Sequence, residues 1–181
     1  LYSDLFYQTP GGLTREQYDE NPRQARPGSA RQNSSIDNQN FLAGLVQEYE
    51  WNDKIKNTTS IFFTNAIKEN PFINNYEMEK LNSYGGRTVF NINTQIGQMP
   101  TMVTTGAEIN FGDFQASNHG NVNGYADTLR YEDELKSFNS FAFLQADVNL
   151  SSKWILNAGA SLNYLRYDIH RLRDVALDTS Y

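Results

Sequence analysis

Cysteine is absent from the 181 residues, and long apolar runs are absent as well. Without cysteine the chain has no disulfide, no thiol nucleophile and no cysteine-ligated metal. No stretch reaches the roughly 18 consecutive apolar residues that a transmembrane helix needs. The net charge of -6 argues against a nucleic-acid-binding surface, and we predict none. The lack of a long apolar run does not exclude a β-barrel, because barrel strands place half of their residues toward the lumen.

Motifs that carry catalysis or metal binding are missing too. No serine lies in a G-x-S-x-G elbow, and no glycine-rich phosphate loop occurs. His119 and His170 lie far apart, with no metal-ligand spacing around them. A loose acidic set lacks the D-x-D-x-D-G order of a calcium loop; its members are Asp113, Asp127, Glu132, Asp133 and Glu134. We therefore expect no enzyme activity, no metal site and no cofactor.

The clearest structural pattern of the chain lies in residues 137–167, SFNSFAFLQADVNLSSKWILNAGASLNYLRY. Apolar and polar side chains alternate on both sides of a short turn at Ser151-Ser152-Lys153, as in strands with one apolar and one polar face. About 11 residues at about 3.3 Å each, tilted by about 45°, cover a bilayer core. We predict a hairpin from a transmembrane barrel wall. The residues expected to face lipid are Leu144, Ala146, Val148, Leu156, Ala158, Ala160 and Leu162.

The same alternation predicts four further strands, at about residues 41–51, 55–67, 78–96 and 101–114. The connections near residues 53, 98 and 152 are short, whereas those near residues 72 and 125 are expected to be longer, with a long polar connection at residues 115–136. Outer-membrane barrels have this asymmetry, and Tyr49, Trp51 and Trp154 gather near the short turns as an interfacial girdle would. The predicted fold is all-β: an antiparallel up-and-down meander of about six long strands, part of a larger transmembrane β-barrel.

Residues 1–34 are predicted to be a loop segment with one short helix, and residues 35–181 the strands and loops of a partial barrel without a plug. Thr14 and Gln17 fit a capping box, which places the helix at about residues 15–20. Arg23, Arg26 and Arg31 follow, either as a ligand-facing loop that attracts anions or as a solvated surface. The first residues look like the middle of a protein, so we expect a fragment or a processed chain.

Several segments resemble the TonB-dependent outer-membrane receptors, and more narrowly the iron–siderophore branch found in Bacteroidetes-type bacteria. They are residues 7–14 (YQTPGGLT), 17–18 (QY), 21–27 (NPRQARP), 56–60 (KNTTS), 69–77 (ENPFINNYE), 86–88 (GRT) and 106–108 (GAE), which together extend over nearly all of the chain. The resemblance implies a barrel of about 22 strands with a plugged lumen, in the outer membrane of a Gram-negative bacterium. It also implies import driven through TonB, which acts on a plug region that these residues do not contain.

The function expected from the resemblance is import of a ferric siderophore by a receptor embedded in the lipid bilayer. Arginine and tyrosine suit anionic or aromatic-rich ligands. We therefore predict ligand contacts on the extracellular side from Arg23, Arg26, Tyr76, Arg87, His119 and Tyr125. Two alternatives stay open: a soluble β-sheet module that binds carbohydrate or peptide, and the same barrel family importing a glycan or cobalamin. Strand length separates the first, since sandwich strands end in turns every 8–12 residues or so.

An isolated piece of barrel wall would have two unpaired edges and a broad apolar face. We therefore also expect the fragment to associate with itself.

Overall fold

The structure, a computed structural model, describes residues 1–174 and consists of one antiparallel sheet with a single short helix. The elements are β1 (Tyr2–Gln8), α1 (Arg15–Glu20), β2 (Ser35–Asn52), β3 (Ile55–Pro71), β4 (Asn75–Ile96), β5 (Met99–Val122), β6 (Tyr125–Ser151) and β7 (Trp154–Asp174). The seven strands lie in the order β1-β2-β3-β4-β5-β6-β7, so each strand pairs with its neighbour along the chain. The predicted up-and-down meander is confirmed.

The connections lie at the two ends that the sequence predicted. Turns at residues 53–54, 97–98 and 152–153 lie at one end, which we call the turn end. The segments 9–34, 72–74 and 123–124 lie at the other, which we call the loop end. Within residues 1–174, none of the helical structure is long and apolar enough to cross a membrane.

Cross-strand register sorts the side chains onto two faces. The apolar face carries Leu45, Ile61 and Ile109, and the polar face carries Ser60, Arg87 and Glu108. All seven residues predicted to face lipid lie on the apolar face: in register, Leu144 pairs with Ala160, Ala146 with Ala158, Val148 with Leu156, and Leu162 with Ala142. The assignment of these residues to one face is therefore confirmed.

A sheet of one layer has no second layer against which to bury its apolar face. Val148 is the one buried hydrophobic residue among residues 1–174. Large aliphatic side chains are open instead, with Leu45 exposed by 67% and Leu162 by 80%. The apolar face therefore needs a cover that the described residues do not supply.

Aromatic rings cross the apolar face from strand to strand. The Tyr84 and Phe111 rings stack with centroids 5.3 Å apart, Phe111 lies 5.0 Å from Phe138, and Phe138 lies 6.0 Å from Tyr164. The next row toward the loop end is polar and consists of Asn82, Asp113, Lys136 and Asp168. The aromatic row therefore marks one border of an apolar band. At the turn end, Tyr49 and Trp51 meet edge to face at 5.3 Å.

The first 34 residues differ in part from the prediction. The helix is present, with the Thr14 hydroxyl accepting from the Gln17 amide at 3.3 Å and the Gln17 side chain accepting from the Thr14 amide at 2.9 Å. The loop prediction is wrong for Tyr2–Gln8, which pairs with β2 as β1, and the sheet therefore has seven strands rather than six. Aromatic and aliphatic residues follow one another in β1, so its side chains show no alternation of apolar and polar residues. Its backbone nevertheless forms antiparallel hydrogen bonds with β2.

The polar connection predicted at residues 115–136 is also wrong, because β5 and β6 continue through it to a turn of two residues. Asn123 and Gly124 form this turn with φ of 54° and 88°, the conformation that an Asn-Gly hairpin turn requires. In β5, residues 115–121 are small or polar and show no alternation, and in β6 the alternation of Leu129, Tyr131 and Leu135 with charged residues is interrupted by Asp133. The prediction followed the Asn-, Gly- and acid-rich composition instead, which is typical of a loop. His119 and the acidic residues predicted in this loop lie in strands instead.

Alternation continues more weakly in residues 168–181 and predicts that the last strand extends through them. β7 does continue as far as Asp174, and residues 175–181 lie outside the described part of the chain.

Candidate functional site

The one long connection of the sheet is residues 9–34, which we call the strap. Its far end is fastened to the tip of the β5–β6 hairpin. The Asn121 side-chain amide donates to the Gln32 carbonyl at 2.9 Å and to the Phe72 carbonyl at 2.5 Å, and the Asn123 amide donates to the Gln32 side chain at 2.8 Å. Asn121 is 7% exposed. The strap therefore spans the loop end from β1 and β2 to β5 and β6.

The strap is also folded on itself and faces a fixed neighbour. The Pro10 carbonyl accepts from the Arg26 amide at 2.7 Å and from the Ser29 hydroxyl at 3.2 Å. Across from it, the Arg130 guanidinium on β6 donates to the Asn74 carbonyl at 2.7 Å and holds the β3–β4 connection. Two tethered segments thus face each other at the loop end.

A cavity of about 460 Å³ lies between these two segments. Asn75 and Glu77 belong to β4 and share the face of Arg87, so the strap lies over the polar face. The strap supplies Arg26 and several small residues to the opposite wall. The full lining is Thr9, Gly11, Gly12, Arg26, Ser29, Ser34, Phe72, Ile73, Asn74, Asn75 and Glu77.

Charges of both signs line this cavity. Within residues 1–174, neither Arg26 nor Glu77 takes part in an ion pair. One Glu77 carboxylate oxygen accepts from the Asn75 side-chain amide at 3.1 Å, which fixes the carboxylate without neutralising it. The cavity therefore offers one cation, one anion and an apolar wall from Phe72 and Ile73 to a ligand.

The residues predicted to contact ligand are spread over three places. Arg26 lines the cavity, while Arg23 is exposed on the strap and Tyr125, 78% exposed, stands at the tip of the β5–β6 hairpin. Arg87 lies far from the loop end, on the polar face in the middle of the wall. Its guanidinium is 3.9 Å from the Glu108 carboxylate and 5.9 Å from the Phe143 ring centre.

Tyr76 and His119 pair in register on the other side of the sheet, on the face of Tyr84 and Phe111 but nearer the loop end. The Tyr76 hydroxyl donates to the Glu69 carboxylate. Burial, and next to it this hydrogen bond, raise the pKa of the Tyr76 hydroxyl above its usual value, so the hydroxyl remains protonated further into the alkaline range than a free tyrosine. The six predicted residues therefore do not form a single site.

The sequence pointed to Arg26 through its cluster of arginines, but it contained no signal for Glu77 as its counterpart. In the sequence, Glu77 is one acidic residue of a polar strand. Whether it lies close to the strap depends on the path that residues 9–34 take. Within residues 1–174, no group of three or more histidine and acidic side chains is arranged to hold a metal ion.

Comparison with known proteins gives a match in structure and none in sequence. No family model and no curated protein matches the chain. Among solved structures, the unliganded ferric citrate transporter FecA is similar, with a TM-score of 0.80 and 15% sequence identity, over 94% of this chain and 27% of that one. At this identity the likeness concerns the fold, which resembles part of the FecA barrel, and the chain spans 27% of the transporter's length.

Proposed function

We propose that this chain forms part of the wall of an outer-membrane barrel in a Gram-negative bacterium, within a TonB-dependent receptor that imports a ferric siderophore. The observation that carries the proposal is a two-faced sheet on a fold similar, over 94% of the chain, to a ferric citrate transporter. The narrower likeness to iron–siderophore receptors of Bacteroidetes-type bacteria supports the choice of ligand. Contact with TonB would run through a plug region that these residues do not contain.

The apolar band has the height that an outer membrane requires. From Met99 near the turn end to Phe111 in the aromatic row, β5 rises roughly 40 Å at about 3.3 Å per residue. At a tilt of about 45° this is a height of roughly 28 Å, close to the apolar band of about 25 Å in outer-membrane barrels. Aromatic rings at both borders match the girdles of such barrels, so the band supports a lipid-facing exterior.

The polar face would then line the lumen, and the loop end would face the outside of the cell. Of the six predicted contacts, Arg26 and Arg87 share this inward side, and Arg23 and Tyr125 stand at the entrance. We keep these four as proposed contacts for the imported ligand. Tyr76 and His119 would meet only a ligand that approaches the outer side above the membrane.

The alternative of a soluble sheet module has less support. From β2 to β7 the strands are 17 to 27 residues long, whereas strands in globular proteins usually have about 3–10. A sandwich would also need a second sheet to cover the apolar face. Outside lipid, the same exposed face would drive the self-association that we expect of the fragment.

Uptake by cells tests the proposal. Cells that produce the intact receptor and lack other siderophore receptors are given radioactive iron as a hydroxycarboxylate, hydroxamate or catecholate chelate. We expect uptake of one class, and loss of that uptake in a matched strain without TonB. TonB-dependent uptake of labelled cobalamin or of an oligosaccharide instead of iron would assign the barrel to the alternative ligands. Absence of TonB-dependent uptake of every compound would contradict the proposal.

A further inference from the structure

We infer that the cavity beneath the strap binds a short zwitterionic peptide, with the peptide carboxylate at Arg26 and its ammonium group at Glu77. This goes beyond the proposed function, because it assigns a second ligand to a cavity at the mouth; Arg26 is the one residue that it shares with the proposed siderophore contacts.

The two charges lie on different walls and are free for a ligand. Arg26 belongs to the strap and Glu77 to β4, and neither is ion-paired within residues 1–174. A ligand that carried only an anion would satisfy Arg26 and place its negative charge beside Glu77. Charge complementarity therefore favours a molecule with one group of each sign, since each group then gains a charge-assisted hydrogen bond.

The uncharged part of the cavity wall is suited to the backbone and side chains of a peptide. Phe72 and Ile73 offer an apolar surface for side chains. Thr9 and Ser34 line the same cavity, Ser34 is 6% exposed, and the hydroxyls of both have no hydrogen-bond partner among residues 1–174. Both hydroxyl oxygens are buried behind the cavity surface, so a peptide would reach them only after the wall had shifted. Asn74 and Asn75, which also line the cavity, offer amide groups to the peptide backbone without such a shift.

The size of the cavity points to more than one residue. Its volume of about 460 Å³ lies within the range of roughly 300–1,000 Å³ found for small-molecule sites. Gly12 borders this space, and no atom lies within 4 Å of the position that a β-carbon on Gly12 would take. The cavity therefore accommodates a peptide of two or three residues with room along the strap.

The test uses three probes that share one dipeptide and differ at their ends, where each capped form lacks one of the two charges. Binding of L-alanyl-L-leucine, its N-acetyl form and its C-terminal amide is measured by calorimetry on the purified protein in detergent. We expect the free dipeptide to bind, and each capped form to bind at least about tenfold more weakly, because each loses one charge-assisted contact. Equal binding of all three, or no binding of the free dipeptide at millimolar concentration, would overturn the inference.

Two substitutions test which charged residue binds which end of the dipeptide. Glu77→Gln should remove the preference for the free dipeptide over the N-acetyl form, and Arg26→Gln the preference over the amide. Arg31→Gln is the control, because Arg31 is exposed on the same strap and does not line the cavity. A change of preference in the Arg31 variant, or none in the other two, also contradicts the inference. If a variant fails to fold, the comparison of the three probes on the wild-type protein still decides the inference. If the dipeptide does not bind, the uptake experiment still tests the proposed function.

Discussion

The ring of Phe143 on β6 lies against the backbone of Gly106 on β5, where a β-carbon added to Gly106 would come within 2.8 Å of the ring. Phe62 on β3 has the same relationship to Gly85 on β4, at 2.7 Å. Both rings lie on the polar face. They fit there because each covers the exposed backbone of a glycine on the neighbouring strand, a device that stabilises strand glycines.

Gly106→Ala should therefore destabilise the wall. The added methyl group would lie 2.5 Å from the Thr88 carbonyl oxygen as well as against Phe143, so both backbone and ring must shift. Overpacking of this kind costs about 1–3 kcal/mol. The temperature at which the folded protein loses its anomalous electrophoretic mobility on heating measures the effect. Gly12→Ala is the control, since an added β-carbon there meets no atom within 4 Å, and an equal loss in both variants would contradict the packing argument.

Under the proposed function, Leu144→Arg should reduce assembly of the protein in the outer membrane. Leu144 lies on the apolar face midway between the aromatic row and the turn end, and it is 54% exposed. A charge at this depth on a lipid-facing surface costs about 2–4 kcal/mol. Gln145→Arg is the matched control, because Gln145 is the next residue and lies on the polar face. Surface abundance of the two variants is compared by antibody labelling, and equal abundance would reject the assignment of the faces.

Gly124→Ala should weaken the β5–β6 turn and its contact with the strap. Gly124 has a φ of 88°, and an added β-carbon would come within 2.7 Å of the Asn33 side chain. Gly97→Ala measures the backbone conformational cost alone, because Gly97 has a φ of 63° and open space around it. We expect about 1 kcal/mol of destabilisation at residue 97 and more at residue 124, measured by heat-induced unfolding. A larger loss at residue 97 would contradict the contact with the strap.

Asn121→Ala should release the strap while leaving the wall intact. Its side chain donates to the Gln32 carbonyl of the strap. Its other two hydrogen bonds, to the Phe72 carbonyl and from the Gly124 amide at 2.9 Å, involve the β3–β4 connection and the β5–β6 turn, so one hydrogen bond to the strap is lost. A hydrogen bond of this kind contributes about 1 kcal/mol net. The strap contains arginines, and we expect trypsin added to whole cells to cleave it about tenfold faster. Asn74→Ala is the control, because only the backbone carbonyl of Asn74 holds Arg130, and its variant should be cleaved at the wild-type rate.

Local sequence pattern is sufficient to predict the strands of the apolar band and to assign their residues to the two faces. A period of two is a local property that follows from the backbone of an extended chain, so alternation alone assigns Leu144 and Gln145 to opposite faces. The helix cap of Thr14 and Gln17 is local in the same way. These features need no knowledge of distant parts of the chain.

The arrangement of the loop end depends on contacts between distant segments. There β5 and β6 are rich in polar and charged residues, and the alternation of Leu129, Tyr131 and Leu135 in β6 has no counterpart in residues 115–121 of β5, so the pairing of the two strands was not evident from either one. The strap crosses the sheet because Gln32 meets Asn121, and Arg26 shares a cavity with Glu77 only as a consequence. Contacts between residues so far apart along the chain depend on strand register and on the path of the strap, which no local pattern of residues encodes.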